Sequence, residues 1–434
     1  MAETLSGLAQ ERIWRPYPIL LPMTHRLCYN PLKDILVLDR RAAMRRSFRG
    51  GMVLAVLFYI CLPQAAEARS WRVEQDGSGE FETIQPAVDA AASGDTILIG
   101  PGRYQDRHEV IVGGHTTQVV VYSPLEKSLT YIGAGVDDVQ IGPEAYGSEW
   151  YGSCGILHCG GQNTYVKNVA FESIYYGITS CYNVYVEACK FSDNKSGIYL
   201  SGSGRFIDGY IADCLFEDGQ DNRGGIAIWS GGDIVIERCI FRFAVFSFNG
   251  TLNAQVRNCE LYGFGGDYYN SNGEFVNNIV SLAPGPGVTT VSIADASQVS
   301  IVGNEISGGW YNLRASGVGV SISLLDNVLS GGQEYTIKCT SYASISGHNN
   351  HILLGDSQYA VRLFAYSSAY PASVDLRNNY WGTTDPDEVA DMIYDGNDDP
   401  FVEMVVDYLP IADGPLPTEE TTWGGLKALY KGGE

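Results

Sequence analysis

Acidic, amide and basic side chains recur just downstream of a repeated aromatic position. Glu172 follows Phe171, Asp193-Asn194-Lys195 follow Phe191, Glu217 to Arg223 (EDGQDNR) follow Phe216, and Arg242 follows Phe241. Several carboxylates beside two cations are the groups needed to hold a divalent cation and to move a proton next to it. In that reading Asp193, Glu217 and Asp221 ligate the metal, while Lys195, Arg223 and Asp218 carry the proton chemistry. Glu172, Arg242 and the rings of Tyr199 and Trp229 then contact a substrate. The same residues have a plainer use, because Asp, Asn and Gly also make solvated turns on an acidic chain.

Such residues meet only if the segments that carry them stack, and the chain repeats as stacking requires. VEACKF, IADCLF, IERCIF and VRNCEL align on a cysteine. That position is held in turn by Val169, Cys189, Cys214, Cys239 and Cys259, then by Asn278, Asn304, Asn327, Asn350 and Asn379. Two residues on, every copy is apolar, from Phe171, Phe191, Phe216 and Phe241 to Trp381. The steps vary between 19 and 29 residues, too irregular for a coiled coil and too short for a helical-hairpin repeat. They fit coils of three short strands joined by loops of variable length. Stacked at ~4.8 Å, large apolar residues would line an interior and amides would form ladders in the turns. The expected class is all-β: a right-handed parallel β-helix solenoid of about twelve coils.

Both ends of a solenoid need covering. FETIQPAVDAAASGD predicts an N-terminal capping helix with Phe81, Ile84, Val88 and Ala91 on one face, Thr83 as N-cap and Gly94 as stop, followed by the strand Thr96 to Ile99. Asp385-Pro386-Asp387-Glu388 predicts a C-terminal capping helix that Gly396 stops, with PFVEMVVDYLPI as a last strand. The β-helix domain then spans 69–411, with caps at 76–99 and 385–411 and a loose tail at 412–434.

With these residues in view, the chain resembles the pectin-lyase-like superfamily of right-handed β-helix proteins. DGSGEFETIQPAVDAAASGDTILIGPGRY is similar to the opening of sugar-acting members, and NNYWGTTDP with YDGNDDP is similar to the closing cap of exported β-helix proteins. The resemblance implies fold and capping, since the fold hosts enzymes and adhesins alike. It also implies what to look for. SGHNN lacks the second glycine of the polygalacturonase motif, no paired aspartates lie one coil away, and the esterase pair of strand aspartates with a nearby arginine is missing. The lyase pattern, Ca2+ on carboxylates with Lys or Arg taking a sugar C5 proton, is compatible with the residues after Phe191 and Phe216. Asp395, Asn397, Asp398 and Asp399 also offer oxygens for Ca2+, without EF-hand spacing. Two functions follow: an exported protein that binds polysaccharide or has a structural role at the cell surface without a complete catalytic motif, or a calcium-assisted uronate lyase.

Residues 69–434 hold 19 Lys/Arg and 45 Asp/Glu, a net charge of −26, which disfavours nucleic acid as a partner. Met44 to Ala68 reads as an export signal: Arg45, Arg46 and Arg49, an apolar run from Met52 to Leu62, and Ala66-Glu67-Ala68 for cleavage. The run is too short for a stable span, and residues 1–43 read as a start assigned too early. The expected product is a monomer in the periplasm, at the surface or outside the cell. Eight cysteines remain after that cleavage. Four lie in the ladder, where parallel side-chain vectors suit small buried hydrophobes better than disulfides. Cys154, His158 and Cys159 do not suggest a metal site, because alternation puts Cys159 opposite the other two.

Overall fold

The computed structural model describes residues 68–112, 114–123, 127–159, 163–202, 206–217, 224–229, 231–282, 288–364 and 372–415. The expected export signal up to residue 67, the expected upstream extension and the expected tail from 416 lie outside the described residues.

Three parallel sheets wind around one apolar interior. The first has fourteen strands, from Ser70–Val73 to Val406–Asp407; the second has eleven, from Gly102–Tyr104 to His351–Ile352; the third has thirteen, between His108–Val112 and Ile393–Tyr394. The chain visits them in rotation, so each strand pairs with those one coil before and after it. About eleven turns are complete on all three sides, one fewer than the repeat predicts.

The backbone shows why the ladder position recurs. The residue before it has a left-handed φ of 50–59° at Asn168, Ala188, Asp213, Arg238, Asn258, Asn277, Asp326, Asn349 and Asn378, with Gly303 at 65°. One such residue turns the chain from the first sheet into the second without a longer loop. The next residue is buried and must satisfy the backbone at the bend. Asn304 donates through Nδ2 to the carbonyls of Phe275 (2.7 Å) and Val302 (3.1 Å) and to Asn327 Oδ1 (2.9 Å). Asn327 and Asn350 continue the pattern down to Asn379. Cysteine does the same job weakly: Cys259 Sγ lies 3.3 Å from the Arg257 carbonyl and 3.8 Å from that of Ile236, the equivalent acceptors. The cysteine and asparagine stretches are therefore one ladder written in two residue types, and none of the eight cysteines in the described residues is in a disulfide.

Two residues later the apolar column forms as the repeat predicts. Phe171, Phe191, Phe216 and Phe241 are fully buried and pair in register. Their rings stack nearly parallel with centroids 5.1, 4.8 and 4.9 Å apart.

Both helices expected at the ends are present. Helix α1 (Ile84–Ala90) buries Ile84, Ala87 and Val88, but it ends four residues before Gly94. Asp95 causes the early stop by accepting from the backbone of Ala92 and Arg69 and from Trp71 Nε1, at 2.8–2.9 Å. Helix α2 (Pro386–Asp391) has Asp385 as N-cap, accepting from the Asp387 amide, and ends before Gly396. An antiparallel hairpin, His108–Val112 with His115–Ser123, was not expected; its two strands form the first edge of the third sheet.

Candidate functional site

Each strand of a solenoid points alternate side chains outward, and register lines those of successive coils into columns ~4.8 Å apart. The groups flagged after the repeated Phe divide by where they fall. Glu172, Glu217 and Arg242 share one column on the outer face of the second sheet, and there they neutralise one another. Arg103 holds Glu172 at 2.7 Å, Lys190 holds Glu217 at 2.7 Å, and Arg242 stands 3.7 Å from Glu217. Asp193 has a φ of 52° and takes a hydrogen bond from Ser173 Oγ at 3.2 Å. Lys195 is half-buried at the next corner. Asp218, Asp221 and Arg223 lie outside the described residues. Among the described residues no three His, Cys, Asp or Glu side chains converge as a metal site.

The closing-cap carboxylates are occupied by turns. Asp395 accepts from the amides of Asn397 (2.8 Å) and Val406 (2.7 Å), Asp398 from that of Asp395, and Asp399 from that of Phe401. In the 154–159 stretch, Cys154 and Cys159 share the outer apolar cluster with Val119 and Leu157. Buried His158 aligns with Ser123 and Ser180. Strict alternation predicted Cys154 with His158. Gly155 and Ile156 both face inward, Gly155 against the ring of Phe171, and this flips the phase.

The third sheet behaves differently. Phe246, Phe248 and Tyr268 are buried in the interior, while Tyr176, Tyr199, Trp229 (53% exposed) and Tyr269 (46%) face outward. Tyr199 stacks on Tyr176 at 5.1 Å, and Tyr175 and Tyr151 extend the cluster edge-to-face. One outward column then runs Tyr199, Ala227, Ser247, Asp267, Ser292, Arg314, Lys338, Arg362, Tyr394. A flanking column holds Tyr311, Tyr335 and Tyr359.

Three cations on successive coils repel unless the surroundings compensate. Here rings do so: Lys338 Nζ lies 4.5 Å from the Tyr311 ring centre and 5.0 Å from that of Phe364, and Arg362 lies 4.4 Å from Phe364 and 4.6 Å from Tyr394. Lys338 also donates to Tyr311 Oη at 2.7 Å, Arg362 donates to Tyr335 Oη, and Trp310 Nε1 and the Tyr311 hydroxyl both donate to Glu334. Arg314, at the head of the trio, is exposed. Two coils before it, Asp267 is reached by solvent yet crowded by protein. Desolvation pushes its carboxyl up to about 6, against the pull of a Ser292 hydrogen bond and the Arg314 charge. The face thus offers aromatic surface at one end, a carboxyl raised to about 6 in the middle, and positive charge at the other end.

Residues 176–352, which carry most of this face, match the family model described as right handed beta helix region. The chain is a right-handed parallel β-helix. The right-handed β-helix fold expected from the sequence is therefore shown. No curated protein matches the chain. Solved structures similar to this β-helix include the mannuronan C-5 epimerase A-module of Azotobacter vinelandii, at 13% identity and TM-score 0.45, covering 69% of this chain and 90% of that one. They also include the catalytic unit of a thermostable α-1,3-glucanase from Streptomyces thermodiastaticus, at 13% identity, TM-score 0.46 and 76% and 70% coverage. A surface adhesin of Streptococcus pneumoniae matches at 10% identity, TM-score 0.34 and 64% and 86% coverage. Likeness at that level carries no chemistry over to this chain. No helix in the described residues is long and apolar enough to cross a membrane.

The sequence reading reached Tyr199 and Trp229 on this face and missed Asp267, Arg314, Lys338, Arg362 and the tyrosine column. A weak signal was present, since Arg314, Lys338 and Arg362 are spaced by 24 residues, each mid-strand.

Proposed function

We propose that this protein is an exported β-helix that binds polysaccharide along the outer face of its third sheet, with the glycan carrying acidic groups. The observation that carries the reading is the register-locked column Arg314, Lys338, Arg362 beside Tyr311 and Tyr335, on a chain whose net charge is −22. Positive charge concentrated on one face of an acidic protein attracts an anionic ligand there, while the acidic remainder repels it. Tyr199, Trp229 and Tyr269 supply flat apolar surface for sugar rings further along the same face. Lys338 and Arg362 are held by rings and hydroxyls, so two of the three cations are pre-organised before any ligand arrives. The test is binding of the full chain to a panel of acidic and neutral glycans. Retention on an acidic glycan that Arg314→Ala weakens several-fold and Trp229→Ala weakens further supports the reading; equal affinity for acidic and neutral polymers contradicts it.

A calcium-assisted uronate lyase remains the second reading, and it places Lys195, Arg223 and Asp218 as proton-handling residues and Asp193, Glu217 and Asp221 as Ca2+ ligands. The pairing of Glu217 with Lys190 and Arg242 weakens that ligand set. A rise in ultraviolet absorbance from unsaturated uronate product, dependent on Ca2+ and lost in Lys195→Ala, would establish it.

A further inference from the structure

Cys159 and Cys181 stand one coil apart at the corner where the third sheet ends. His158 and Ser180, the residues before them, are paired in register, and the Cys181 amide donates to the His158 carbonyl at 3.2 Å. Parallel-strand spacing therefore sets the two Cα atoms ~5 Å apart, inside the range a disulfide spans. Both lie just past the ends of their strands, where the Cys159 and Cys181 amides still reach the carbonyls of Ser123 and His158 and keep the two coils in step. Cys159 is 9% exposed and packed in the outer cluster with Cys154 and Leu157, whereas Cys181 is half-buried and nearer solvent. The thiols touch: hydrogen bonding with Cys181, then burial, raises the pKa of Cys159.

We infer that Cys159 and Cys181 form a dithiol that closes to an inter-coil disulfide on meeting a small-molecule or protein disulfide. Cys181, the less buried of the two, reacts first. The Cys181 thiolate attacks one sulfur of the oxidant, forming a mixed disulfide and releasing one oxidant thiolate. The Cys159 thiolate then attacks Cys181 Sγ and expels the second. The two thiol protons end on the two released thiolates, so the oxidant is reduced to two thiols as the protein loses two hydrogens.

The full native chain is incubated with oxidised glutathione, alkylated under denaturing conditions, digested and mapped by mass spectrometry. The expected result is a peptide pair joined through Cys159 and Cys181, with Cys189, Cys214, Cys239 and Cys259 all alkylated, and with Cys159→Ser retaining glutathione on Cys181. Full alkylation of both cysteines, or glutathione persisting on Cys181 of the unmutated chain, would overturn the inference. Should Cys159→Ser fail to fold, the map of the unmutated chain decides alone.

Discussion

At the level of single residues, the ladder position and Asp95 do most to hold the coil shape. Asn327 sits mid-ladder, donating to Ile301, Leu325 and Asn350 and accepting from Asn304. Asn327→Ala strands buried backbone groups, each costing about 1–3 kcal/mol, so denaturant unfolding is expected to show a loss above about 2 kcal/mol. Asp95 gives a pH signature. Desolvation would raise its pKa, but the bonds from Arg69, Trp71 and Ala92 outweigh it and hold the carboxyl below the ordinary 3.8. A depressed native pKa stabilises the fold above the unfolded value and is lost as pH falls through the native one. Melting temperature is therefore expected to drop through the acid end of the carboxylate range, less steeply in Asp95→Asn. The ladder was legible because its residues recur in sequence. Asp95 was not, since its three donors come from two separate segments that only the fold brings together.

At the level of elements, the phenylalanine stack and the caps carry the predictions. Phe216 is fully buried between Phe191 and Phe241, so Phe216→Ala is expected to cost about 3–5 kcal/mol through transfer loss and cavity. A loss below about 1 kcal/mol in chemical denaturation would place it outside the core. Asp385→Ala removes the N-cap of α2 and is expected to cost about 1 kcal/mol. The stack was readable because it lies two residues after each ladder position, and the end helices because their stop and start residues are local. The third sheet was not, because the loop before it varies: Arg314 lies ten residues after Asn304, Lys338 eleven after Asn327 and Arg362 twelve after Asn350. An alignment anchored on the ladder therefore smears that column, whereas the charges next to the repeated Phe stay in phase with it, and there Glu172 and Glu217 are ion-paired.

For the whole molecule, the decisive feature is one positive face on a chain of net charge −22. Asp267 makes that face pH-dependent: above about 6 its carboxylate faces an incoming anion, and below that value the repulsion is gone. Affinity for an acidic glycan is expected to rise as pH falls through 6, and Asp267→Asn should flatten that rise. The most direct test is affinity of the full chain for one acidic glycan by titration calorimetry, with and without Arg314→Ala. Binding in the unmutated chain that weakens at least several-fold in Arg314→Ala and with added salt is the expected result. Binding that neither substitution nor salt alters would contradict a glycan site on the third sheet.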